Sequence, residues 1–224
     1  MAPGVIKSIP YDAAGDFAGI TTLASLPHLL VTGAEQNVRS IPELVALARS
    51  RPGGITFGAI LGAGPHLNAV HFLHAMGIEG RLVPFKGAPE ALMEVMAGRV
   101  DIYFSPITPA LPFLQSGRMR AIAITSKNRS NALPDVPTTF EQGYPDSEFA
   151  LWLGIAAPAK TPQEIVDKLH TQIAKALDTP GVQARLRQMG AEPMILEPAA
   201  FDALIRREIA FYADLAQKAG LAQQ

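Results

Sequence analysis

Apolar positions along the chain recur in two periods, and Gly or Pro punctuates most of the changes between them. Residues 26–31 (LPHLLV) read as a buried strand. Ser40-Ile-Pro-Glu43 has capping-box spacing with Pro in the first turn, so a helix is expected through Ala48, stopping at Arg51-Pro-Gly-Gly54. A strand at 55–58, a glycine-rich turn at 59–65 and a helix at 66–76 closed by Gly77 follow. Next come a strand at 81–85, a helix at 89–97 capped by Gly98, a strand at 100–104, a short helix at 109–115 and a strand at 120–125. This β-α-β-α-β rhythm predicts a parallel sheet with right-handed crossovers.

A proline-rich loop, Asn131-Ala-Leu-Pro-Asp-Val-Pro-Thr138, breaks the rhythm. Beyond it the pattern predicts a short helix at 139–142 and an apolar strand at 149–157. A second capping box, Thr161-Pro-Gln-Glu164, heads a helix with Ile165, Leu169, Ile173 and Leu177 on one face. A helix at 180–189, a strand at 193–196 and a helix at 199–219 complete the series. Residues 26–148 thus read as a self-contained α/β unit with a parallel sheet. Residues 1–25 and 149–224 form a helix-rich remainder with about two strands, too few for a sheet of its own.

Composition narrows the function classes. Of 224 residues, 17% are charged, with 19 Lys plus Arg against 20 Asp plus Glu. That balance, without a basic cluster, argues against nucleic acid as a partner. The absence of cysteine excludes disulfides, thiolate nucleophiles and Cys-based zinc sites. No apolar run reaches the roughly 18 residues of a membrane span. The first ten residues lack the basic and apolar regions of an export signal, so the chain as written reads as soluble and unexported.

The strongest site candidate is the strand–turn–helix Phe57-Gly-Ala-Ile-Leu-Gly-Ala-Gly-Pro-His-Leu67, where glycines permit close approach and a helix N-terminus favours an anion. It matches neither a Walker loop nor a dinucleotide fingerprint. A tight turn without a ligand is the plain alternative. Two more turns, Phe85-Lys-Gly-Ala88 and Ser105-Pro-Ile-Thr108, follow predicted parallel strands, and ligands of open α/β sheets bind at that edge. Lys86 could add charge, and Ser105 and Thr108 hydroxyls. His71 and His74 stand three apart on a helix without acidic or cysteine partners, so packing or surface roles are favoured over a metal. The chain has no Gly-x-Ser-x-Gly elbow and no acid–base–nucleophile constellation. Met93/Met96 and Phe201/Leu204/Ile205 read as core faces, and Trp152 as a core or hinge aromatic.

A set of motifs carries a family resemblance: Tyr11-Asp12 with Asp16-Phe17, Ala24-Ser-Leu-Pro27, Val83-Pro-Phe-Lys-Gly87, Ala97-Gly-Arg-Val-Asp101, Ser116-Gly-Arg118, Ala121-Ile-Ala-Ile-Thr-Ser126, Ala132-Leu-Pro-Asp-Val-Pro-Thr138 and Trp152-Leu-Gly-Ile-Ala-Ala-Pro158. Together they resemble the Bug (TctC-type) receptors, the extracytoplasmic solute-binding proteins of tripartite tricarboxylate transporters. The resemblance implies a periplasmic-binding-protein-like α/β fold of the type II, Venus flytrap kind, closing on a small carboxylate without catalysis, metal or cofactor. Residues 26–148 would be lobe two; 1–25 and 149–224 would be an N-terminally truncated lobe one. The implied ligand-binding residues are Gly58, Ala59, Ile60, Gly62, Ala63, Gly64, His66, Lys86, Gly87, Ser105 and Pro106. The implied hinge is Ala24, Ser25, Leu26 and Pro27 with Ala150, Leu151 and Trp152.

Family members carry an export signal and a leading part of lobe one before the Tyr-Asp segment, which places them in the periplasm. This chain would be cytoplasmic if Met1 is its true start. The resemblance names the transporter's membrane components as partners, and the truncated lobe adds self-association. The glycine loop departs from type: positions that carry hydroxyls in relatives read as Ala59 and Ala63, each hydroxyl worth about 1.5–3 kcal/mol to a carboxylate. Binding no tighter than about millimolar is therefore expected. The alternative is a sensor or interaction module on the same fold, binding a protein or an apolar acid.

Overall fold

The structure, a computed structural model, describes residues 9–221. The chain divides into two compact units: Pro27–Leu151 forms one, and Met1–Leu26 with Trp152–Gln224 the other. Two strands, β1 (Phe17–Gly33) and β6 (Ala150–Pro158), run from one unit into the other. β1 is far longer than the strand expected at 26–31. Its first half pairs with β6 and, through Ala24 opposite Pro193, with the two-residue β7 (Glu192–Pro193).

In the unit Pro27–Leu151 the strands lie in the order β3 (Gly80–Pro84), β2 (Ile55–Ala59), β4 (Ile102–Pro106), β1, β5 (Met119–Ile124). The expected all-parallel sheet is corrected here. β2 runs parallel to β3 and β4, but β1 is antiparallel to both β4 and β5. The reason is connectivity: β1 reaches this sheet as one continuous strand from the other unit, not by a helical crossover from a neighbouring strand of the sheet, so its direction need not follow theirs. His28 of β1 pairs with Pro106 at the end of β4, so β1 enters this sheet where the parallel strands finish.

Side chains alternate between the two faces of this sheet, as pleating requires. Leu30, Phe57, Ile102 and Phe104 pack under helices α1 (Ile41–Arg49) and α2 (Gly64–Met76). Leu29, Val31 and Tyr103 pack under α3 (Ala88–Met96) and α4 (Ile107–Gln115). Ser40 caps α1, its hydroxyl accepting the Glu43 N–H at 3.3 Å. On α3 it is Ala91, Leu92 and Val95 that are buried; of the expected Met93/Met96 pair, Met96 packs at the margin of the core while Met93 is 51% exposed. The loop ending at Thr138 lies along the open side of β5, where the Ile124 N–H donates to Pro137 (2.9 Å) and the Thr139 N–H to Ile124 (2.9 Å). The expected helix at 139–142 is a hydrogen-bonded turn, and a short 3₁₀ turn follows at Pro145–Ser147.

The other unit carries α5 (Gln163–Leu177), α6 (Pro180–Gln188) and α7 (Pro198–Lys218). Thr161 does not cap α5; its N–H turns back to the Pro158 carbonyl (2.9 Å), and the helix begins after Pro162. The strand expected at 193–196 shrinks to β7. Phe201 of α7 is buried edge-on against Trp152, ring centroids 5.1 Å apart, and occupies the space beside Gly19 and Gly154. Asp202 accepts the Gly19 N–H at 2.7 Å. Of the expected apolar stripe on α5, Leu177 is buried but Ile165 and Leu169 are exposed.

Candidate anion-binding site

The three turns singled out from the sequence leave the sheet at one edge. Ala59 pairs with Pro84, and the Phe85 N–H donates to the Ala59 carbonyl at 2.9 Å, so the β2 and β3 turns start side by side. Gly58 pairs with Tyr103 on the other flank, two residues before Ser105. The β1–β4 register adds His28 and the preceding Pro27 to the same edge.

The β2–α2 turn is closed by the Ala63 N–H donating to the Ile60 carbonyl at 3.0 Å, with Gly62 at φ 74°, a left-handed conformation that favours glycine. The Gly62 N–H donates inward to His66 Nδ1 at 3.2 Å. His66 is buried and stacked on Phe57, and burial lowers its pKa, so the ring stays neutral and accepts. The expected row of free helix donors is therefore shorter than glycine content implies. Pro65 has no N–H, and the His66 and Leu67 N–H groups both close on the Ala63 carbonyl (3.0 and 3.1 Å). Among the described residues the Gly64 N–H is left without a protein partner, and Ala63 supplies no side-chain cap. A helix start in this state presents partial positive charge and one donor.

The flanking turns contribute differently. Lys86 is exposed; its backbone N–H donates to Glu90 Oε2 at 3.2 Å, and Gly87 is the N-cap of α3. Ser105 is fully buried and its hydroxyl donates to the Pro106 carbonyl at 2.8 Å, so its proton is committed locally, while Pro106 is exposed. Ala59 is also fully buried. Of the residues expected at the hinge, Leu26 and Pro27 flank the first passage between units, and Leu151 and Trp152 the second.

Sequence reasoning missed a buried polar group beside this edge. His28 is stacked on Phe149 and lies 3.1 Å from Asn68 Nδ2 through its Nδ1. Desolvation pulls its pKa down to about 4, so the ring is neutral near pH 7. A polar residue inside the apolar run LPHLLV was the available signal. His71 is half-buried near the Phe149 ring and His74 is exposed. Among the described residues no three metal-ligating side chains cluster. A groove of about 460 Å³ lined by Gln36, Val38, Leu47 and Arg51 lies at the opposite edge of the sheet.

Over residues 1–221 the chain matches the model of the tripartite tricarboxylate transporter family receptor, TctC. The chain belongs to this receptor family. It is 35% identical over 184 residues to the UPF0065 protein in the tcbD-tcbE intergenic region of Pseudomonas sp. strain P51, covering 81% of this chain and 55% of that protein. The chain thus spans little more than half of that relative's length. Among solved structures it is similar to R. palustris Rpa4515 with adipate (TM-score 0.79, 33% identity, covering 98% of this chain and 74% of that one). It is also similar to MatC (Rpa3494) from Rhodopseudomonas palustris with bound malate (TM-score 0.74, 27% identity, 96% and 74% covered). The fold is that of the TctC receptors, a mixed α/β periplasmic-binding-protein architecture. Among the described residues no helix is long and apolar enough to cross a membrane.

Proposed function

We propose that the chain belongs to an extracytoplasmic receptor that binds a small carboxylate and delivers it to the membrane components of a tripartite transporter. One carboxylate group rests at the start of α2, and the unpartnered Gly64 N–H at that uncapped helix terminus carries the reading. Gly58, Ala59, Ile60, Gly62, Ala63 and His66 shape this turn; Lys86, Gly87, Ser105 and Pro106 bound it from the neighbouring turns. Residues 24–27 and 150–152 serve as the hinge. Binding and release need no bond-making, so the reading calls for neither a nucleophile nor a metal. Adipate and malate, found with two structural neighbours, make dicarboxylates the first class to test.

The test is calorimetric titration of the chain with mono-, di- and tricarboxylates. One backbone donor and a helix dipole contribute on the order of 1–2 kcal/mol to a partly buried carboxylate, so a dissociation constant no tighter than about 1 mM is expected. Gly62→Val, which forces a side chain into φ 74°, should abolish that binding. Micromolar affinity surviving Gly62→Val would place the ligand elsewhere.

A further inference from the structure

Both segments by which the chain passes between its units close on one residue. Thr125, just beyond β5, is fully buried. Its N–H donates to the His28 carbonyl at 3.0 Å, and its carbonyl accepts the Phe149 N–H at 2.7 Å. Its hydroxyl donates to the Phe149 carbonyl at 2.6 Å and accepts the His28 N–H at 3.1 Å. His28 lies just after the first passage and Phe149 just before the second, so the backbone N–H and carbonyl of both residues are held by Thr125. The same segments bear α2 along a single stripe. A Cβ on Gly64 would stand 2.9 Å from Leu151 Cδ1 and 3.3 Å from His28 Cε1. Asn68 meets the His28 ring at 3.1 Å, and His71 faces the Phe149 ring at 6.3 Å between centroids. Positions 64, 68 and 71 share one helix face.

We propose that Thr125 is a positioning residue for the anion site: it clamps the two crossing strands into the seat on which α2 rests, and so sets where the Gly64 N–H points. The proposal rests on the reading of the α2 start as the anion site. Force on that terminus passes through Gly64, Asn68 and the His28 ring to both crossing strands together. The hydroxyl is the working group, because a valine of the same shape removes both the donor to the Phe149 carbonyl and the acceptor of the His28 N–H.

The test compares the full 224-residue chain with Thr125→Val and Thr125→Ser by amide hydrogen exchange without ligand, and by calorimetry with adipate. Thr125→Val is expected to speed exchange about tenfold at residues 66 and 67, as well as at 28–30 and 149–151, with residues 41–49 unchanged. Thr125→Ser restores the protection. Faster exchange confined to 28–30 and 149–151, or a serine that does not restore it, overturns the proposal. Where the wild-type chain binds adipate, Thr125→Val should weaken binding about tenfold and Thr125→Ser recover it; unchanged affinity overturns the proposal. Absence of any carboxylate binding by wild type sinks the anion reading, and the exchange experiment then decides the clamp by itself. Should Thr125→Val not fold, Asn68→Ala cuts the same path at the helix and must give the same rise at 66 and 67; no rise overturns the clamp.

Discussion

The Arg51 guanidinium lies 2.8 Å from the Asp101 carboxylate, at the edge of the sheet farthest from the candidate site. Asp101 also accepts the Thr56 N–H at 2.7 Å and the Thr56 hydroxyl at 2.8 Å, so one carboxylate ties the start of β2 to the segment leading into β4. Here the Ala97-Gly-Arg-Val-Asp101 motif finds a structural reason.

Desolvation pushes the Asp101 pKa up, but the hydrogen bonds from Thr56 and Arg51 outweigh it and hold the carboxyl below its ordinary value. A depressed folded-state pKa means stability fully present above the unfolded value near 3.8 and lost as pH falls through the folded value. Asp101→Asn places an amide against donors and should cost about 2–3 kcal/mol at pH 7. Urea unfolding at pH 7 and pH 3 checks both parts: the variant's deficit should shrink in acid.

His28 titrates in a different window with the same sign. Its folded pKa of about 4 lies below the ordinary histidine value of 6.5, so the unfolded chain binds the extra proton between those values. Stability should therefore rise by on the order of 3 kcal/mol between pH 4 and pH 7 on account of this ring. His66, also lowered by burial, adds to the slope in the same direction. Denaturant melts of His28→Gln should show a flatter pH profile across that window; an unchanged slope would mean that the ring is not the titrating group.

The two alanines of the glycine loop, read from the sequence as equivalent losses of a hydroxyl, occupy unlike places. Ala59 is fully buried opposite Pro84, whereas Ala63 is half-buried at the N-cap with extended backbone. Ala63→Ser should cap α2, stabilise the chain by about 1 kcal/mol, and strengthen carboxylate binding about tenfold. Ala59→Ser buries an unpaired hydroxyl and should destabilise by about 1–3 kcal/mol. Thermal melts and calorimetry of the pair separate these outcomes. Equal behaviour of the two variants would remove the distinction.

Local signals were the legible ones. Ser40 and Glu43 announce the start of α1 because a capping box needs only its own turn. The direction of β1 was not legible, since antiparallel pairing with β4 and β5 is decided by where the chain arrives from the other unit. The phase of α3 slipped, with Met93 exposed beside buried Leu92, because methionine marks core and surface alike. At the site, the glycines foretold the turn but not its donors. The inward bond from Gly62 to His66 depends on the His66 ring stacking on Phe57, a tertiary contact without a sequence spacing.

Leu153 and Ile155 of β6 and Ile165 and Leu169 of α5 are 46%, 38%, 44% and 40% exposed, within a unit whose strands are few. Trp152 of the same strand is half-buried against Phe201. Exposed apolar side chains on a strand favour pairing with another chain, and β6 brings both backbone and side chains to such a contact. We therefore expect the isolated 224-residue chain to self-associate at micromolar concentration. Light scattering should report dimers or larger species, and Leu153→Glu with Leu169→Lys should shift them to monomer without loss of helical signal. The unit Pro27–Leu151 holds the candidate site, so dicarboxylate affinity should be the same before and after that shift. A wild-type chain that stays monomeric at micromolar concentration would show that these four side chains tolerate water as they stand.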